Sequence, residues 1–372
     1  MRLLYFINNI INSGGIERII IDKVNYLSHI KGYDIAIAYY GNPNDIPFFD
    51  ISYKVKLYAI PLDMNTFSFR KKIRYSFSVK KSVIQIIQEF YPDIIINANT
   101  KLVSWILPFI ARRIPKIIEL HFSYDGLMIM NQNLYNNNFL KASFNNLLRR
   151  LIYPLYNKCV VLSQDDLSKW NFKNICIIPN FTNLTNYTYS NLSVKTALCV
   201  GRLEFQKNID LLIDAWKIVA ESFPDWKLNI WGDGSLRSQI QEQIKKSNLE
   251  NKINLCGVSK NILNEYLNAS IFILPSRYEG LPLVLIEAMQ SGLPAIGFNI
   301  SGVNDVIIHN KNGILVQERE PESLAKNIIQ LLSNNEMLHK MSQNAITTMS
   351  KFKKEHVMNQ WITLFNELAK NK

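Results

Sequence analysis

Glycine and proline are sparse, 14 and 13 among 372 residues, and neither recurs at a fixed period, which excludes collagen-like and low-complexity chains. Cysteine is rarer. Cys159, Cys176, Cys199 and Cys256 stand far apart without Cys-x-x-Cys spacing, so no disulfide framework or thiolate metal site is expected. They read as buried free thiols of a reducing compartment. Charged residues are only 19% against 48% hydrophobic, which excludes a disordered chain. No uncharged apolar stretch reaches the roughly 18–20 residues of a membrane-spanning helix; Leu102–Ala111 is the best candidate and contains Pro108. The opening, MRLLYFINNIINSGG, has a short apolar run and then asparagines. It lacks the small-residue cleavage site of a signal peptide, and a cytoplasmic protein is expected.

What is present is enough chain for two domains of about 150–190 residues and a net charge of +12. The charge is uneven. Residues 1–190 carry 22 basic and 12 acidic side chains, net +10, leaving 20 and 18, net +2, for residues 191–372. Such asymmetry points one half toward a polyanion: nucleic acid, an anionic membrane or a phosphorylated ligand.

Short β-branched runs alternate with helix-period segments from end to end. Leu3–Ile7, Asp34–Tyr40, Ile94–Asn97, Lys116–Leu120, Lys158–Ser163 and Ile175–Ile178 read as strands. Ile16, Ile19, Ile20, Val24 and Leu27 mark one face of the first helix. Residues 181–195, FTNLTNYTYSNLSVK, are polar and aperiodic and read as a linker between domains 1–180 and 196–352. A second series follows: Thr196–Val200, Lys227–Trp231, Lys252–Leu255, Ile271–Leu274, Pro294–Ile296 and Gly313–Val316. Residues 353–372 form a last helix, with Val357, Trp361, Leu364, Phe365 and Leu368 apolar, expected to pack back on the first domain. The expected architecture is α/β: two doubly wound, Rossmann-like domains facing across a cleft, with ligands beyond the carboxyl ends of the strands.

Chemistry-bearing residues gather in those post-strand loops. Gly14-Gly15-Ile16-Glu17-Arg18 heads the first helix, where backbone amides favour an anion, or simply makes a tight turn. Gly201-Arg202-Leu203 follows the second domain's first strand. Arg202 as a fork and Lys207 as a point charge could converge on one anion. Gly232-Asp233-Gly234 ends the next strand. In Pro275-Ser276-Arg277-Tyr278-Glu279-Gly280-Leu281-Pro282-Leu283-Val284-Leu285-Ile286-Glu287, Pro282 suits an early helix position and leaves the amides of Leu283 and Val284 free. Glu287, in an apolar run, needs a partner. The plain alternative makes Glu279 an exposed loop acid and Glu287 a solvated helix position.

These motifs together resemble the retaining, nucleotide-sugar-dependent glycosyltransferases of family four, which have the GT-B fold. The resemblance runs through GGIER, GRLEFQKN, WGDG and SRYEGLPLVLIEAMQSGLPAIG to NGILV, nearly the whole chain. It implies that Glu279 meets the donor sugar's hydroxyls and Glu287 the nucleotide ribose. It implies too that Arg202, Lys207 and the amides around Gly280, Leu281, Leu283 and Val284 neutralise the diphosphate. Gly15 would approach phosphate and sugar, and His121, just after a strand, would lie beside the donor sugar. One departure shows: Ile300-Ser301-Gly302-Val303-Asn304-Asp305 carries valine where many relatives have proline.

The resemblance implies transfer with retention from a nucleotide sugar, UDP-linked by preference, to a lipid-linked glycan in bacterial surface polysaccharide assembly, or to a protein-glycan or glycolipid precursor. Glycosyltransferases of another fold hold a divalent metal with Asp-x-Asp. That motif is missing here, as is any His/Cys/Asp cluster of ligand spacing, so no metal and no other cofactor is expected. The basic half then suggests a peripheral membrane face. Lys71, Arg74 and Lys81 share a helix face opposite Ile73, Phe77, Ile84 and Ile87, with Phe67 and Phe69 upstream. Arg112, Arg113, Lys116, Arg149 and Arg150 extend the patch or meet a polyprenyl diphosphate. Two other classes fit less well. A nucleic-acid-binding protein lacks a reading motif, so no nucleic acid is expected, and a nicotinamide dehydrogenase lacks Gly-x-Gly-x-x-Gly.

Overall fold

The computed structural model describes residues 1–12, 14–30, 32–61, 69–98, 100, 102–134, 139–184, 188–259 and 261–370. The chain divides into two compact units, Met1–Asn180 with Glu355–Lys372, and Phe181–Lys354.

Unit 1 holds β1 (Arg2–Ile7), β2 (Asp34–Tyr40), β3 (Val55–Ile60), β4 (Ile94–Asn97), β5 (Lys116–Glu119), β6 (Lys158–Val161) and β7 (Ile175–Ile177). They form one parallel sheet in the order β3-β2-β1-β4-β5-β6-β7. Most strands are apolar on both faces because helices cover both. Leu4 and Phe6 pack on Val79, Val83 and Phe90 of the helix Phe69–Phe90, while Lys23 of the helix Gly15–Ser28 reaches Glu119 of β5 from the other side. β3 was not legible in sequence. It is an edge strand whose Lys56 and Leu57 are exposed, so it shows no buried run.

The helix Phe69–Phe90 departs from expectation. It buries Val79, Val83, Ile86, Ile87 and Phe90, but Ile73 and Phe77 lie exposed among the lysines instead of facing the core. Twenty-two residues make a helix of about 33 Å, longer than the roughly 10–23 Å spanned by strands of three to seven residues. Its first turns therefore overhang the sheet. Phe67 and the side chain of Phe69 lie outside the described residues.

Unit 2 holds β8 (Thr196–Val200), β9 (Lys227–Trp231), β10 (Ile253–Gly257), β11 (Ile271–Leu274), β12 (Ala295–Phe298) and β13 (Gly313–Val316). Its parallel order is β10-β9-β8-β11-β12-β13. Each sheet winds outward in both directions from its first strand, which puts a switch point between β1 and β4 and another between β8 and β11. Ligands in such sheets bind beyond the carboxyl ends of the strands at that point. Residues 181–195, expected as a linker, are built into unit 2: Thr182 pairs with Lys353, and the Ser190 amide donates to Ser291 O at 2.9 Å. Residues 185–187 of that segment lie outside the described residues. The last helix, Lys354–Lys370, buries Val357, Trp361, Leu364, Phe365 and Leu368 as part of unit 1. No helix among the described residues is long and apolar enough to cross a membrane.

Candidate functional site

At the unit 2 switch point, the loops after β8 and β11 are clamped together. The Arg277 amide donates to Gln206 O at 2.8 Å, and its Nε to Phe205 O at 3.1 Å. Its Nη2 pairs with Asp210 at 3.0 Å, and the guanidinium sits 4.3 Å above the Phe205 ring. Asn208 turns the first loop into the helix Ile209–Ser222 at φ 55, a left-handed conformation that asparagine tolerates, and its Nδ2 donates to Pro275 O at 3.0 Å. This clamp brings two sequence-predicted residues into direct contact: Lys207 Nζ lies 2.6 Å from Glu279 Oε1. Gln206 Nε2 donates to Tyr278 O at 3.0 Å and lies 3.4 Å from Glu279 Oε2. Glu279 is buried, which overturns its reading as an exposed loop acid. Arg202 is exposed at the same strand end. Cys199, beneath the pair on β8, is pushed up to about 12 by burial and is an inert thiol.

Pro282 caps the helix Leu283–Gln290 instead of opening it, and its carbonyl accepts from Leu285 and Ile286. Helical geometry leaves the amides of Leu283 and Val284 without partners inside their own helix. Glu287, on that helix, is 1% exposed and accepts from the Tyr266 hydroxyl at 3.0 Å, so the solvated reading fails there too. Two glycines hold the neighbouring loops close. Gly232, at φ +141, lies so near Gly201 O that a Cβ would overlap it. Gly302, at φ +79, does the same against Gly280 O. The Gly232-Asp233-Gly234 turn thus shapes the Arg202 loop, with Asp233 O accepting from the Leu203 amide at 2.9 Å. Val303, at the position of the departure, is fully buried against β12 at Gly297.

In unit 1, Gly15 opens its helix and is exposed. His121 follows β5 and is buried, its Nε2 3.2 Å from Glu119 Oε2. The same oxygen lies 2.7 Å from Lys23 Nζ, and that ammonium sits 3.7 Å above the Trp361 ring. Burial alone would raise the Glu119 carboxyl, but Lys23 and His121 together hold it down at about 2. Sequence reasoning missed Lys23 and Glu119, although both leave a trace. Lysine occupies a position of the helix stripe defined by Ile20, Val24 and Leu27, and glutamate interrupts the apolar strand KIIEL. A charge at each of two buried positions requires a partner.

The basic patch divides. Lys71, Arg74 and Lys81 are exposed on the helix that leaves the carboxyl end of β3. Arg112 and Arg113 are exposed but precede β5, at the sheet edge opposite His121. Lys116 does not belong to the patch: it is buried, donates to the carbonyls of Ala111 and Ile114 at 2.8 Å, and is lowered by burial to about 8. Arg150 is engaged with the Tyr124 hydroxyl at 3.0 Å. The helix Phe139–Ile152 exposes an apolar stripe, Phe144, Leu147 and Leu151, that the sequence reading did not foresee. Residues 125–134 are helical, and 135–138 lie outside the described residues. Among the described residues, no three His, Cys, Asp or Glu side chains are grouped so as to hold a metal ion.

Residues 188–348 match the family model described as glycosyl transferases group 1, and residues 13–186 that described as glycosyltransferase family 4. An uncharacterized glycosyltransferase of Haemophilus influenzae is 30% identical over 364 residues, covering 96% of this chain and 98% of that protein. The amylovoran biosynthesis glycosyltransferase AmsD of Erwinia amylovora is 27% identical, covering 98% and 99%. A Campylobacter jejuni N-acetylgalactosaminyltransferase named for a diphosphoundecaprenol-linked glycan is 24% identical, covering 99% of both. Among solved structures, sucrose-phosphate synthase from Thermosynechococcus elongatus superimposes with a TM-score of 0.83 at 18% identity over the full length of both chains. Anabaena HepE in complex with UDP-glucose gives 0.75 at 19% identity, covering 99% and 100%.

Proposed function

The chain belongs to the family four glycosyltransferases and has their GT-B fold, and from that premise we propose that it moves a sugar from a UDP-sugar to a lipid-linked glycan in bacterial surface polysaccharide assembly, with retention and without a metal. The observation that carries this reading is the Lys207–Glu279 pair at the β8/β11 switch point, a cation and a carboxylate on two loops clamped at one place. Relatives named for amylovoran and for a polyprenyl-linked glycan support the acceptor class, and a structural neighbour holding UDP-glucose supports the donor.

When the glycosidic bond breaks, negative charge develops on the departing diphosphate. Fixed donors aimed at that charge are the largest catalytic contribution available, about 10²–10³ in rate for each. In this reading Lys207 leaves Glu279 for the diphosphate, Arg202 adds its fork, and the amides of Leu283 and Val284 complete the cradle. The released Glu279 carboxylate accepts from sugar hydroxyls, while Glu287, steadied by Tyr266, accepts from the ribose. Gly15 and His121 are assigned to the phosphate and the sugar. With cations already in this role, no metal is required. Retention follows if the acceptor hydroxyl attacks from the face the diphosphate leaves and passes its proton to the diphosphate oxygen.

Mass spectrometry of reactions pairing a panel of nucleotide sugars with polyprenyl-diphosphate-linked acceptors tests the reading in the presence of EDTA. One UDP-sugar should give a product heavier by one glycosyl residue. Turnover only of GDP-sugars, or only with added divalent metal, would remove the corresponding part of the proposal.

A further inference from the structure

The chain Lys23–Glu119–His121 has features that packing alone does not explain. A buried lysine–glutamate pair gains little over apolar residues of the same volume, so stability is a poor account of it. Its polar capacity is also unspent: Glu119 Oε1, the Tyr5 hydroxyl and both ring nitrogens of His121 are buried without a hydrogen-bond partner among the described residues. Nε2 is within ion-pair reach of Glu119 Oε2 at 3.2 Å, yet off the line of a hydrogen bond. Such loose contacts are common before a ligand arrives and tighten when it binds. Lys23, by contrast, is locked between Glu119 Oε2 at 2.7 Å and the Trp361 ring at 3.7 Å.

We propose that Lys23 and Glu119 are positioning residues for His121: Glu119 accepts the hydrogen bond of Nε2–H, leaving Nδ1 to accept from a hydroxyl of the bound sugar, while Lys23, braced by Trp361, holds the carboxylate in place. The inference rests on the assignment of His121 to the donor sugar and sharpens it. An uncharged acceptor reads hydroxyls and leaves the diphosphate to Lys207 and Arg202. Among the described residues, the titratable groups facing this network are Glu119 and His121 from β5 and its end, Lys23 from the first helix, Tyr5 from β1 and, next to Tyr5, Tyr33 ahead of β2; the C-terminal helix contributes the neutral Trp361.

Long-range proton–nitrogen correlation spectra of histidine-labelled protein report the tautomer of every imidazole, with His121 assigned by its loss in His121→Gln. The expected tautomer carries its hydrogen on Nε2, the nitrogen facing Glu119. In Lys23→Met the tautomer preference weakens and kcat for hydrolysis of UDP-glucose or UDP-N-acetylglucosamine falls; Lys23→Arg restores both. The double variant Lys23→Met/Glu119→Leu removes both charges together and protects the fold. It should bind UDP as the wild type does by calorimetry, lose the tautomer preference, and show kcat lower by about tenfold or more with donor KM little changed. A wild-type ring with its hydrogen on Nδ1, or a folded double variant with wild-type kcat, overturns the proposal. Failure of the wild type to bind UDP would instead overturn the donor reading, and the tautomer would still decide how Glu119 holds the ring.

Discussion

A lysine meets a glutamate in each unit at almost the same distance, 2.7 Å for Lys23–Glu119 and 2.6 Å for Lys207–Glu279. The first pair is 2% and 3% exposed at its side chains, the second 13% and 7%. The larger difference lies in what carries them. Lys23 and Glu119 project from a helix and a strand and are roofed by Trp361, so they cannot part without disturbing packed elements. Lys207 and Glu279 stand on two loops past strand ends, where an anion could take the lysine from the carboxylate while the Arg277 clamp keeps the backbone in place. The same two side chains sit on packed elements in one unit and on loops past strand ends in the other, and the backbone beneath them decides how readily they can part.

The largest effect should come from breaking the Lys23–Glu119 pair on one side. Lys23→Met leaves Glu119 buried without its counter-charge and should cost about 3–5 kcal/mol in chemical denaturation, whereas Lys23→Met/Glu119→Leu should return to within about 1 kcal/mol of wild type. Acid separates the same proteins. The Glu119 carboxyl, at about 2 when folded against about 4.3 unfolded, contributes stability that is complete above the unfolded value and is lost as pH falls from about 4 toward 2. The double variant should show a flatter stability curve across that window.

Next in size is the pair on the loops. Lys207→Ala should cost less stability than Lys23→Met, because Glu279 keeps Gln206 beside it and the Arg277 clamp and the Asn208 turn remain, while sugar transfer falls by about 10²–10³. A loss of stability comparable to that of Lys23→Met, with transfer intact, would erase the contrast between the two pairs. The smallest effect concerns the basic excess of residues 1–190. If Lys71, Arg74, Lys81 and the exposed Phe77 face an anionic membrane, flotation with phosphatidylglycerol vesicles should weaken by about 1 kcal/mol for each lysine or arginine replaced by glutamine. Equal binding by the unsubstituted and triply substituted proteins would detach that charge from membranes.

Legibility in the sequence followed how local the cause was. β2, β4, β8, β9, β11 and β13 coincide with their apolar runs. The loops carrying Arg202, Lys207 and Glu279 were found because strand, loop and helix follow each other directly in the chain. β3 escaped because an edge strand has only one neighbour and keeps a lysine. Ile73 and Phe77 misled because helix periodicity gives a face but not the length of sheet beneath it. Glu287 was recognised as needing a partner, but Tyr266, 21 residues away, could be identified only in the folded unit.

By itself the sequence determined the alternation of strands and helices, hence two parallel sheets, and the motif residues at the strand ends, because hydrophobic period and turn chemistry act over a few neighbouring positions. Tertiary structure alone decided that Lys207 lies on Glu279, 72 residues on, and that Lys23, Glu119 and Trp361 converge beneath His121. Such pairings are set by which strands lie side by side and which helix covers them, a property of the whole packed sheet and of no single segment.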